Sequence, residues 1–138
     1  MKRSIEPADF LCYRSISRPN FSPDGKKIAI SIHQANKNED EYDSDIAIVA
    51  TDGSGIARYT YGGKDSSPRF SPDGRSIVFL SRRTFGKEEK GNELYLMQLG
   101  GGEPRRIIKR KEGIASPTFS GLENYLLPVQ CRHRGGKR

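Results

Sequence analysis

Two stretches of the chain carry apolar residues in a pattern that predicts strands. In KIAISIH, residues 27 to 33, Ile28, Ile30 and Ile32 fall on one face of an extended strand. In SIVFLS, residues 76 to 81, Ile77 and Phe79 point one way and Val78 and Leu80 the other. That strand has two apolar faces and must be covered on both. Each stretch follows the same five residues, FSPDG, at 21 to 25 and at 70 to 74. Pro23 presets φ for the first central position of a type I turn, Asp24 tolerates the second, and Gly25 takes positive φ without a steric penalty. The run predicts a hairpin turn with a bulge. Ahead of it, SRPNF is a short strand in which Pro19 predicts a strand end or an unpaired position, because proline has no amide to give a ladder.

The pattern continues in register. Polar loops at 34 to 44 and 82 to 92 precede third strands, DIAIVAT (45 to 51) and ELYLMQL (93 to 99). Glycine-rich turns, DGSG and GGGEP, lead to weak fourth strands, ARYTY and RRIIK. Pro19 and Pro68 lie 49 residues apart, and 49 more reach Pro117, which opens a decayed third copy, SPTFSGLENYLL. A period of that size marks repeats. Each is expected to be a four-stranded antiparallel meander, and sheets with two apolar faces stack on one another. A ring of them is a β-propeller. The fold expected is all-β, about two and a half blades: residues 1–15 an N-terminal helical segment, 16–64 blade 1, 65–113 blade 2, 114–127 a partial blade 3, and 128–138 a basic tail. Only EPADFLCYR, residues 6 to 14, reads as helical, with Pro7 in its first turn and Phe10 and Leu11 expected to dock on the sheet. Two blades and a fraction cannot close a ring of four to eight, so one apolar blade face and one strand edge are expected to lie open.

At 138 residues with 33% hydrophobic content and no tryptophan, the chain makes about one domain with a modest core. No stretch is long and apolar enough to cross a bilayer, and MKRSIEPADF lacks the apolar segment of a secretory signal. The expected location is the cytoplasm. Cys12 and Cys131, far apart, read as reduced thiols. The net charge of +7 is unevenly placed: residues 1 to 66 sum to −1 and residues 67 to 138 to +8. The excess lies in RRIIKRK (105 to 111) and CRHRGGKR (131 to 138), and no nucleic-acid module accompanies it.

The order DFL, SISRPNFSPDGKKIAIS, the loop ending EYDSDIAIV, then SPRFSPDGRSIVFLSRR and ELYLMQLGGGEPRRI resembles the N-terminal start of the propeller in acylaminoacyl-peptidase-like serine peptidases, of the prolyl oligopeptidase superfamily. The repeat itself resembles WD-like repeats of the TolB type. The likeness runs from about Pro7 to Leu127. FSPDG marks the propeller class, and EYDSDI points to the peptidase branch. The resemblance implies a propeller that shields a hydrolase active site, filters substrates by size and helps assembly, with the catalytic serine, aspartate and histidine in an α/β-hydrolase domain outside this stretch.

The chain's own residues offer no catalytic, cofactor or metal site. There is no G-x-S-x-G nucleophile elbow, and GSG at 53 to 55 sits in a turn. His33 falls at a strand end and His133 in the basic tail, so no triad is assembled. Glu39, Asp40, Glu41, Asp43 and Asp45 lack the spacing of a calcium loop and read as an extended solvated loop. GSGIAR carries Arg58 where a dinucleotide fingerprint needs glycine. After ENYLL the strand pattern gives way to PVQCRHRGGKR, as it would in a truncated or frame-shifted gene and equally in a native tail. The expected function is that of a non-catalytic propeller fragment, self-associating or partnered by a separately encoded hydrolase or propeller. The alternatives are a free-standing interaction module that completes its ring by association and, last, a basic nucleic-acid-binding protein.

Overall fold

Local chemistry closes the first hairpin of each repeat in the same way. In the computed structural model, which describes residues 3–38, 40–120 and 125–129, the Gly25 amide donates to the Ser22 carbonyl and the Gly74 amide to that of Ser71, both at 2.9 Å. Both glycines sit at φ 71°, where a side chain would strain the backbone. The Ser22 hydroxyl donates to Asp24 at 2.6 Å, and Asp24 accepts from the Lys26 amide at 3.0 Å. Ser71, Asp73 and Arg75 repeat both bonds.

From these turns grow ten strands: β1 Arg14–Phe21, β2 Lys27–Asn36, β3 Glu41–Ala50, β4 Ile56–Arg58, β5 Asp65–Phe70, β6 Ser76–Ser81, β7 Asn92–Gln98, β8 Arg105–Arg110, β9 Ser116–Ser120 and β10 Tyr125–Val129. Strands β1 to β4 form one antiparallel sheet in chain order, β5 to β8 a second, and β9 pairs with β10. This is the expected partial propeller, with two whole blades and the start of a third.

The first strand of each whole blade carries a bulge at its proline. Pairing slips between Ser17 and Asn20 and again between Ser66 and Arg69, and the residues before the prolines, Arg18 and Ser67, both lie at φ 54°. Proline is thus accommodated where the ladder is interrupted. In blade 2 this frees the Ser67 amide, which donates to the Ser31 hydroxyl of blade 1 at 3.0 Å, while the Phe70 amide donates to Asn20 at 2.8 Å. The inner strand of blade 2 is thus bonded to β1 and β2 of blade 1.

The core forms between blades. Ala29, Ile46 and Ile48 on the rear of blade 1 pack against Phe70, Ile77, Phe79 and Met97 on the front of blade 2. Val78, Leu80 and Leu94 on the rear of blade 2 pack with Ile114, against Phe119 of β9. The doubly apolar β6 is therefore covered on both sides. Fully burying one such side chain stabilises by roughly 1.5–3 kcal/mol.

Three expectations need correction. The loop foreseen at 34 to 44 is mostly strand, since β2 and β3 stay paired out to Asn36 and Glu41; Asn36 donates its amide to both Asp43 oxygens at 3.2 Å, so polar side chains are satisfied within the ladder. The fourth strand of blade 1 stops at Arg58 because the Thr60 hydroxyl, in place of a backbone carbonyl, accepts from the Ile46 amide at 2.9 Å. The N-terminal helical segment is a 3-10 helix, Pro7–Cys12, with Pro7 in its first turn. Successive side chains diverge by about 120° in such a helix, so half-buried Leu11 faces the sheet and Phe10 stays exposed.

Candidate functional site

The front face of blade 2 shows how a covered face is finished at one end. Asp65 heads β5 and is fully buried. Arg83, just past β6, donates from Nε and Nη2 to its two oxygens at 3.1 and 2.7 Å. The guanidinium lies over the Tyr95 ring at 4.9 Å and the Phe79 ring at 5.6 Å, and the two rings are stacked. Beside them Glu93, also fully buried, accepts from Arg106 at 3.0 Å and from the Thr84 hydroxyl at 2.8 Å. The bond to Asp65 raises the Arg83 pKa further above its ordinary value. Burial, then the Glu93 charge, pushes the Tyr95 hydroxyl above its usual range. All of this is locked into structure, since each buried carboxylate is held by an arginine.

Blade 1 repeats only half of it. Asp45 and Arg58, each 48 residues before Glu93 and Arg106, make the corresponding ion pair, and Asp45 also accepts from the Gly63 amide at 2.8 Å. The counterparts of Asp65, Arg83 and Tyr95 are Ile16, Gln34 and Ala47. Where blade 2 has its stacked arginine, blade 1 has a groove of about 540 Å³ lined by Leu11, Gln34, Asp43, Asp45, Ala47 and Arg58, among others. Around it Ile16, Phe21 and Ile56 are 68%, 61% and 62% exposed. These three share the front face with Ile28, Ile32 and Val49, as the strand pairing shows. Ile30 and Ala47 at the centre of this face are buried, so what lies open is its apolar rim.

The residues weighed from sequence lie apart from this groove, with the exception of Asp43, Asp45 and Arg58. His33 shares a 2.6 Å hydrogen bond with the Ser17 hydroxyl across the β1/β2 ladder. That pair went unnoticed in the sequence, where only a strand register could reveal it. Among the described residues no carboxylate bonds the other nitrogen of the ring. The acidic run is dispersed and is not one solvated loop. Glu41 pairs with Lys64 at 3.0 Å, Asp43 takes the Asn36 amide, and Asp45 is 2% exposed. Glu39, Cys131 and His133 lie outside the described residues, as does the tail from 130 onward. Cys12 is an exposed free thiol. The basic run RRIIKRK falls largely on β8, an outer edge strand, where arginine and lysine discourage pairing with other sheets. No described helix is long and apolar enough to cross a membrane.

Repeated four-stranded meanders, packed face to face with their first strands innermost, define a segment of a β-propeller. No protein-family model matches the chain. Over 121 residues, 87% of its length, it is 36% identical to the uncharacterized peptidase YuxL of Bacillus subtilis (strain 168), of which it spans 18%. Among solved structures it resembles the acylaminoacyl peptidase of Pyrococcus horikoshii (TM-score 0.64, 22% identity, 79% of this chain and 16% of that one). It also resembles the β-propeller domain of the trilobed protease from Pyrococcus furiosus (TM-score 0.62, 24% identity, 78% of this chain and 31% of that one). The chain is thus a partial propeller similar to the propeller part of acylaminoacyl-peptidase-like peptidases, and it spans less than a third of each relative.

Proposed function

We propose that the chain is the non-catalytic propeller portion of an acylaminoacyl-peptidase-like serine peptidase, divided into the units 16–64, 65–113 and 114–127, and that it screens peptide substrates by size for an α/β-hydrolase. The open front face of blade 1 carries this reading, because a blade face with Ile16, Phe21 and Ile56 bare is the joint of an unfinished ring. The similarity to a peptidase over 87% of the chain supports it, and the exposed Cys12 thiol fits a reducing, cytoplasmic setting. The test is hydrolysis of acyl-aminoacyl chromogenic substrates. The chain alone is expected to give no turnover, whereas mixing it with an α/β-hydrolase from a neighbouring reading frame should leave short peptides as substrates and exclude folded proteins. Turnover by the isolated chain that titrates with a serine-directed inhibitor would overturn the reading. A second reading, a free-standing interaction module that completes its ring by association, draws on the same open face; capture of a propeller-type partner that lacks hydrolase activity would favour it.

A further inference from the structure

A second cleft lies on the other side of blade 1, between its rear face and blade 2. It measures about 360 Å³, within the range of small-ligand sites, and is lined by His33, Glu41, Tyr42, Ser44, Lys64 and Arg82, among others. Main-chain bonds fix its walls. The Ser44 amide donates to the Gly63 carbonyl at 2.9 Å and the Arg82 amide to the Lys64 carbonyl at 3.0 Å, while the Ser44 hydroxyl donates to the Asp65 carbonyl at 2.7 Å. Lys64, just before β5, and Arg82, just after β6, are therefore held side by side. His33 stands opposite Ser44 in the β2/β3 ladder, and its Nε2 is engaged with Ser17, which leaves Nδ1 for a ligand. Charge is unbalanced here. The one carboxylate among these lining residues is Glu41, which Lys64 holds at 3.0 Å. That bond chiefly keeps the Glu41 carboxyl below its ordinary value, and the charges of Lys64, Lys87 and Arg82 add to it. Arg82 is the cation left over. It gives Nη2 to the Glu89 carbonyl at 2.5 Å, and among the described residues no carboxylate lies within ion-pairing distance of it. Its remaining guanidinium hydrogens can hold a carboxylate by two parallel bonds. Lys64 and Arg82 against Glu41 leave a single positive charge in the lining, which matches a monoanion better than a phosphate dianion.

We propose that this cleft binds a carboxylate, from the C-terminus of a peptide or from a small free acid, with the anion on Arg82 beside Lys64 and His33. Tyr42 is 74% exposed at the same cleft, and its ring gives an apolar wall for the group next to the carboxylate. The site is built from blades 1 and 2 alone, so it needs neither a hydrolase nor a cover on the front face of blade 1.

Nuclear magnetic resonance titration of the full chain with alanyl-alanyl-phenylalanine, its C-terminal amide and N-acetylphenylalanine tests this. The His33 ring and the amides of Lys64 and Arg82 should shift saturably with both acids, and the tripeptide amide should bind roughly tenfold or more weakly than the tripeptide acid. A tripeptide acid that binds more tightly than N-acetylphenylalanine identifies a peptide end as the ligand, and equal affinities identify the free acid. Arg82→Gln should weaken binding of the acids by roughly tenfold, and Arg82→Lys, which keeps the charge without the fork, should restore part of it. Arg82 is exposed, so both variants should melt with the wild type. Arg105→Gln, the same loss of charge on β8, should leave binding unchanged. Acid and amide that bind alike would overturn the proposal. So would an Arg82→Gln loss no greater than that of Arg105→Gln, or the absence of a saturable shift at millimolar ligand. Size screening for a hydrolase by a chain that binds no carboxylate would sink this proposal alone; carboxylate binding by a chain that itself turns over substrate would instead sink the functional reading.

Discussion

Blade 1 and blade 2 share turns, bulges and strand order, yet blade 2 is covered on both faces and blade 1 on one. The difference is concentrated in a few substitutions between equivalent positions. Blade 2 has Phe79, Tyr95, Arg83 and Asp65 where blade 1 has Ile30, Ala47, Gln34 and Ile16. The covered face fills its own volume with rings and a guanidinium, and a buried carboxylate then becomes tolerable because its partner is fixed in place. The open face keeps only the outer ion pair and has a groove beside Ile32 and Gln34, with Ile30 and Ala47 themselves buried. A repeat thus preserves what makes a blade, while the side chains that fill its face differ with what packs against it.

The largest expected effect separates the two ion pairs. Asp65 is fully buried and the hydrogen bonds to its carboxylate come from Arg83. Arg83→Ala leaves that charge unpaired and strips a cation from two rings, and it should cost about 3 kcal/mol, the low end for a broken buried pair, because Arg83 itself reaches solvent. Arg58→Ala should cost only about 1 kcal/mol, since the Gly63 amide still serves Asp45. Urea denaturation at neutral pH measures both. Equal losses would mean that the blades do not differ in the way their covered and open faces suggest.

How much of this was legible in the sequence follows from what each feature depends on. The FSPDG turns and the two apolar faces of β6 are local, fixed by a few adjacent residues, and the structure has them as expected. The carboxylate and arginine pairs join strands that are neighbours only through register. Their one sequence signal is the shared 48-residue offset from Asp45 to Glu93 and from Arg58 to Arg106, which becomes visible once the repeats are aligned. The pairing of Ser17 with His33 and the groove over Ala47 have no signal of that kind. A groove is a volume left by small residues, and it appears only when their counterparts are known to be large.

A middle-sized effect tests whether the turns are as alike as their geometry. Gly25 and Gly74 share φ 71°, so a β-branched residue strains both backbones by on the order of 1–3 kcal/mol. At Gly74 an added Cβ would also meet Pro23 of blade 1 at 3.4 Å, while at Gly25 there is open space. Gly74→Val should therefore cost as much as Gly25→Val or somewhat more, by chemical denaturation of the two variants. A Gly25→Val loss well above that of Gly74→Val would place the stiffer turn in blade 1. Melting of both variants with the wild type would remove the hairpin turn altogether.

The smallest effect lies in the acid range and asks whether the turn carboxylates act alike. Asp24 and Asp73 are both exposed, and both are held below the ordinary carboxyl value of 3.8, chiefly by the hydroxyls of Ser22 and Ser71 and then by the amides of Lys26 and Arg75. A carboxyl with a lowered folded pKa binds its proton more weakly in the folded chain than in the unfolded one. It therefore stabilises the fold above the unfolded value, and that contribution is lost as pH falls through the lower, folded one. Thermal melts from neutral pH down into this range should show Asp24→Asn and Asp73→Asn each removing a similar part of the acid slope. Neither blade's cover reaches these turns in a way that alters the hydroxyl and amide donors, so the open face of blade 1 should leave Asp24 no weaker an acid than Asp73. An acid slope that vanished with one substitution and survived the other would show that covering a blade reaches as far as its hairpin turn, and the contrast between the two blades would then extend beyond their faces.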